Sequence, residues 1–207
     1  MRQLFLIVFL LLSIHSFSQT QIRKSDKIAT FCKVWGFIKY HHPAVAKGKY
    51  DWDKEFLENI KIIEQLKSKE EINEFYNKWI SGLGKLKKDR KRNPPSDAIL
   101  SNYDFRWVKD TSNFTNQVTK LLLLTKNNSR AKNHYVKKRF FGLAAASYVN
   151  EKSYKDSIFP SKEMRLLTLS RYWNIVNYFY PYKYLTDTKW QNVINEFVPT
   201  FINTDII

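Results

Sequence analysis

The sequence predicts a mainly α-helical protein, in which duplicated helix-loop-helix units pack in one helical body and the stretch 134–148 is open to a short strand pair. Three observations carry that expectation. Trp35, Pro43 and Trp52 recur as Trp173, Pro181 and Trp190, each displaced by 138 residues. The flanks stay in register without a gap, as in Lys27/Arg165, Phe31/Leu169, Ile38/Val176, Tyr40/Tyr178, Phe56/Ile194 and Glu58/Glu196. Within each copy the apolar residues step by three or four, the period of one helix face.

Ile28, Phe31, Trp35 and Ile38 form the first such face, and Pro43 stops it because proline disfavours helical geometry in the residue before it. A second helix opens near Asp51, an N-cap type, and carries Trp52, Phe56, Ile60 and Ile63. Ser68 with Glu71 is a capping-box signature ahead of Ile72, Phe75, Tyr76, Trp79 and Ile80, and Gly82 and Gly84 close that helix. Ser112 is the expected cap of a helix through Val118, Leu121, Leu122 and Thr125 ending at Asn127-Asn128. From His134 to Tyr148 the pattern fits either a strand pair or a short helix. Ser161 then caps the second copy, whose face is Leu166, Leu169, Trp173 and Val176, stopped by Pro181. Thr188 precedes Trp190, Ile194, Val198 and Phe201, where Pro199 is expected to kink or shorten the last helix. The offset is far longer than a solenoid period, so this is one hairpin used twice rather than an array. The resulting division is a leader at 1–18, a first helical unit with its following helix at 19–84, a basic linker at 85–97, an intermediate segment at 98–161 and a second helical unit at 162–207.

Arg2, the apolar run Leu4 to Leu12 and the small-residue site Ser16-Phe17-Ser18 have the three parts of a secretory signal cleaved after Ser18. The run is shorter than the roughly 20 apolar residues that span a bilayer, so no transmembrane span is expected after cleavage. An exported product in the periplasm or at the cell surface follows. Cys32 is the single cysteine. No internal disulfide can form, and packing must supply stability, which 43% apolar and 16% aromatic residues allow. Cys32 aligns with Ser170 on an apolar stretch, the setting of a small buried residue rather than a reactive thiol. The formal charge of +16 invites a nucleic-acid reading. Export argues against it, and the densest cluster, Lys85, Lys87, Lys88, Arg90, Lys91 and Arg92, runs into Asn93-Pro94-Pro95 as a solvated linker.

No complete catalytic set is visible. His41-His42 beside Asp51 and Asp53 is the most metal-like cluster, but adjacent helical residues diverge by about 100°, whereas ligands on one face need separations of three or four. The second copy has Phe179-Tyr180 there, so structural histidines are expected, with no metal and no cofactor. Ser147, after Gly142-Leu143-Ala144-Ala145-Ala146, is the serine nearest a small-residue turn, yet it lacks the G-x-S-x-G pattern and a defined base. Tyr40, His41 and Trp52 with Tyr178, Phe179, Tyr180 and Tyr182 form an aromatic edge, for which core packing is the expected role and recognition the other open one.

Lys33 to Pro43 (KVWGFIKYHHP) and Arg171 to Leu185 (RYWNIVNYFYPYKYL), with Tyr50-Asp51-Trp52-Asp53 and Asn150-Glu151-Lys152-Ser153-Tyr154, resemble the N-terminal region of exported serine peptidases of the S41 family, the tail-specific or C-terminal-processing protease relatives, of a Bacteroidetes type. The resemblance spans roughly residues 28–202. It implies proteolysis without a metal by a serine nucleophile and a lysine base on a following domain, and hence a truncated or split product here. No catalytic residue of that family can be placed on this sequence. The implied partners are a peptidase domain or a polypeptide substrate, and the alternative is a standalone exported module binding peptides or anionic envelope polymers.

Overall fold

A computed structural model describes residues 22–87, 104–129, 133–138, 146–156 and 158–203. The expected signal at 1–18, linker residues 88–97 and the Gly142 to Ala145 turn lie outside the described residues. Of those described, 63% are helical, counting short 3-10 turns at Arg106–Lys109 and Lys183–Leu185 with six α-helices, and a short two-stranded antiparallel sheet accompanies them. In chain order the helices are α1 (Lys24–His41), α2 (Trp52–Gln65), α3 (Lys69–Gly82), α4 (Asn116–Asn127), α5 (Lys162–Phe179) and α6 (Trp190–Asn203), with strands β1 (Val136–Lys138) and β2 (Ala146–Tyr148) between α4 and α5.

The duplication holds at both ends of every repeated helix, since α1 and α2 become α5 and α6 when 138 is added to each boundary. The proline signal acts as expected. α1 and α5 end two residues before Pro43 and Pro181, and the extended His42 and Tyr180 donate their N–H groups back to Ile38 and Val176 at 2.9 and 3.1 Å. Each hairpin is then locked by a reciprocal indole clasp. Trp35 Nε1 donates to the Trp52 carbonyl at 2.9 Å while Trp52 Nε1 donates to that of Trp35 at 3.1 Å. Trp173 and Trp190 do the same at 3.0 and 3.1 Å. The paired rings stack with centroids 6.3 and 6.4 Å apart. The first-turn cations repeat too: Lys27 donates to the Glu64 and Leu66 carbonyls, and Arg165 to those of Phe201 and Ile202. Both place positive charge where a helix C-terminus leaves carbonyls unpaired.

The two units meet through α1 and α5. Ser170 Oγ and Asn174 Nδ2 both donate to the Cys32 carbonyl, at 3.3 and 3.0 Å, and Tyr40 meets Tyr178 edge to face at 5.7 Å. Positions 32, 36 and 40 thus oppose 170, 174 and 178 in the same order, so the helices run parallel, with equivalent positions facing across the contact. The approach is close. A Cβ on Gly36 would lie 1.9 Å from the Asn174 side chain, which is why glycine stands there. α1 is buried on nearly every side, as a central helix must be.

The other helices close around this centre. The Ser68–Glu71 capping box forms with both reciprocal bonds, and Ser161 caps α5. α4 is capped by Thr115, not Ser112, because Ser112 is bound into a turn by the Asp110 carboxylate at 2.6 and 2.9 Å. Lys189, not Thr188, immediately precedes α6. Pro199 does not shorten that helix, which has the same 14 residues as α2. The stretch 134–148 contains the strand pair, with Val136 opposite Tyr148 and Lys138 opposite Ala146.

Candidate functional site

The strongest convergence of ionisable groups lies where the α1–α2 loop, the segment after β2 and α5 meet. Lys39 extends from α1 with its side chain fully buried and donates to both oxygens of Glu151, at 2.6 and 2.9 Å. Its ammonium also stands 4.8 Å from the Trp35 ring centre and 4.5 Å from that of Tyr135, a cation between two π faces. Desolvation lowers the Lys39 pKa, and the Glu151 charge opposes that shift.

Arg171 on α5 joins the lattice from the other side. Its guanidinium pairs with Asp53, lies 3.3 Å from Glu151 and donates to the Lys152 carbonyl at 3.1 Å. Tyr154 donates to Asp53 at 3.1 Å, and Lys152 reaches Asp51 at 2.5 Å. The Lys152 hydrogen bond holds the Asp51 carboxyl below its ordinary range. Burial beside Asp53 pushes the Tyr154 hydroxyl up to about 12. Asp51 also caps α2 by accepting the Lys54 N–H.

Local backbone geometry sets these groups in place. Asn150 adopts the left-handed conformation, with φ 58°, that asparagine tolerates better than most residues, and its amide donates to the His134 carbonyl at 2.8 Å. Gly48 has φ 74°, and a Cβ there would lie 2.6 Å from the His134 ring. The loop therefore turns tightly enough for His134 N–H to bond the Ala46 carbonyl. Residues 50–53, 134–135 and 150–152 wall a cavity of about 200 Å³.

Chemically the lattice is balanced. Lys39, Arg171 and Lys152 face Glu151, Asp53 and Asp51, and each charge is spent on a partner. Such an arrangement fastens the segment after β2 to both repeat units, and offers neither an activated nucleophile nor an open ligand shell. Among the described residues no group of three or more His, Cys, Asp or Glu side chains could hold a metal ion.

The candidates read from sequence fall in different places. His41 and His42 do not join Asp51 and Asp53. His41 packs against Phe37, Phe105 and Tyr178 with Nδ1 3.1 Å from Ser129 Oγ, and the His42 ring accepts the Ala44 N–H. Burial holds both imidazoles down to about 4, with Lys126 adding to the effect at His41. Ser147 sits in β2 opposite Lys137. Cys32 is buried, which pushes its thiol up to about 12, against nucleophilic use. The aromatic edge divides: Tyr40 and Trp52 are core, whereas Tyr180 and Tyr182 are exposed.

Sequence reading missed Lys39, Arg171 and Glu151 as partners. One signal was present, since Lys39 interrupts the apolar run Phe37-Ile38-Lys39-Tyr40, and a lysine so placed needs a buried anion. The anion's position, 112 residues on, was not legible.

Fold and site define a class: a mainly helical protein built on an internal hairpin duplication and tied together by a buried ion-pair lattice. Comparison with protein-family models, with curated proteins and with solved structures gives no match.

Proposed function

We propose that these residues form the noncatalytic helical region of an exported S41-type serine endopeptidase, whose Ser/Lys site lies on polypeptide outside this sequence. One observation carries the reading. The four sequence phrases that resemble that family each send a side chain into the same lattice: Lys39 from the first, Asp51 and Asp53 from the second, Glu151 and Tyr154 from the third, Arg171 from the fourth. Residues shared for a structural reason are expected to meet in this way. The region's role is to scaffold, in the periplasm or at the cell surface after signal removal. No helix among the described residues is long and apolar enough to cross a membrane.

Two measurements test this. Residues 19–207 incubated with unfolded protein substrates should give no turnover, and hydrolysis abolished by Ser147→Ala would overturn the noncatalytic assignment. DNA downstream of the Ile207 codon should encode a peptidase domain, and an unrelated gene there would overturn the family assignment. The second reading, an exported binding module, is favoured by the exposed Tyr180, Tyr182 and Tyr184, whose rings contact in succession at 5.9 and 6.4 Å. A discrete peptide or envelope polymer retained at physiological salt supports it, whereas binding erased by salt reports charge alone.

A further inference from the structure

Among the described residues the second hairpin leaves open a face that α3 covers in the first unit, and the protein itself shows what fits there. In the first unit Trp52 is stacked on both sides, by Trp35 and by Trp79 of α3, the latter at 5.3 Å and nearly coplanar at 4°. Phe75, one turn before Trp79, extends the same aromatic row at 5.7 Å, and Trp52 is left 1% exposed. In the second unit Trp190 stacks on Trp173, and its other ring contact among the described residues is the edge of Tyr172 at 6.4 Å. Tyr172 is 63% exposed and Phe197 48%.

Substitution between the copies strengthens the case. Glu55, which receives the Trp79 indole N–H at 3.0 Å, corresponds to Val193, and the buried Asn59 corresponds to Phe197. The open face is thus more apolar than the covered one.

We propose that the Tyr172–Trp190–Phe197 face docks an amphipathic α-helix of a partner protein, one that presents two aromatic side chains four residues apart as α3 presents Phe75 and Trp79. The partner's aromatic ring lies flat on Trp190, completing the sandwich that Trp79 makes on Trp52. The inference stands on the internal repeat and is independent of the peptidase reading.

The chain's own α3 supplies the probe. A fluorescent peptide of residues 66–84, stapled through positions 78 and 82 on its solvent side, is titrated with the protein at physiological salt and read by anisotropy. Saturable binding is expected, weakened by about tenfold or more by Phe197→Asp or Tyr172→Asp in the protein and by Trp79→Ala in the peptide. Both protein changes fall on exposed side chains, and unchanged far-ultraviolet dichroism verifies their fold. No saturable binding up to about 1 mM peptide would overturn the proposal. So would binding indifferent to both protein substitutions or abolished by moderate salt, and so would sedimentation showing a homodimer that Phe197→Asp dissociates, since a second copy would then be the occupant.

Discussion

Gly36→Ala should destabilise this protein, although a glycine-to-alanine change inside a helix ordinarily stabilises it by about 1 kcal/mol. The new Cβ would fall 1.9 Å from Asn174 Cγ, 2.1 Å from Oδ1 and 2.2 Å from Nδ2. Asn174 cannot yield cheaply, because its amide donates to the Cys32 and Ser170 carbonyls at 3.0 and 2.8 Å in a fully buried setting. Swinging it aside leaves buried polar groups unpaired at about 1–3 kcal/mol each. With two such bonds lost and the helix-propensity gain of about 1 kcal/mol set against them, the net cost is about 1–5 kcal/mol. In an Asn174→Ala background the obstruction is gone, and the same substitution should become neutral or stabilising. Urea denaturation of the four members of the cycle, followed by dichroism at 222 nm, reads the coupling directly. Equal effects of Gly36→Ala in both backgrounds, or stabilisation in the native one, would refute the close parallel contact of α1 with α5.

Three further outcomes are expected. Trp52→Leu should cost about 1 kcal/mol more than Trp190→Leu in chemical denaturation, because both lose a clasp hydrogen bond but only Trp52 also loses a stack on Trp79. Glu151→Gln leaves the buried Lys39 ammonium without its counter-charge and should cost about 3–5 kcal/mol, whereas Lys39→Met should cost less because Arg171 still faces Glu151. Stability should fall as pH drops from about 6.5 to about 4. His41 and His42 have folded pKa values held down to about 4, so the unfolded chain takes up protons through 6.5 that the native state refuses, for a loss on the order of 3 kcal/mol per histidine. His41→Phe should flatten that slope in denaturation series from pH 7 to 4, and an unchanged slope would count against burial of the ring.

What was legible in the sequence followed from local rules. The proline stops, the Ser68–Glu71 box and the 138-residue register are set by neighbours in the chain, and α1, α2, α3, α5 and α6 appeared where those rules placed them. Errors arose where a short-range partner competed. Ser112 is a good cap type, but Asp110 two residues earlier binds it first, and Thr115 takes the helix. The lattice was not legible, because Lys39 finds Glu151 and Arg171 finds Asp53 across more than 100 residues, and no local pattern encodes which buried lysine meets which carboxylate. The indole clasp was half visible: the Trp spacing marked it as structural, while the reciprocal bonding needed the hairpin's closed geometry.

The differences between the copies follow from how the copies meet. When two equivalent helices pack in parallel, each position faces its own counterpart, so identical residues at the closest approach would confront themselves. Two glycines at 36 and 174 would leave a hole, and two asparagines would collide. One of each fills the space and lets the amide reach across to the Cys32 carbonyl. The same logic separates Cys32 from Ser170, since the hydroxyl on one side bonds the carbonyl on the other. Away from the contact the constraint is lifted, and divergence there tracks each unit's third neighbour. Lys39 and Arg171 bind the segment after β2 although their counterparts, Asn177 and Lys33, do not, and Glu55 and Asn59 suit a covered face where Val193 and Phe197 furnish an open one. The duplicated hairpin is therefore a symmetric frame whose two outer faces have been put to different uses.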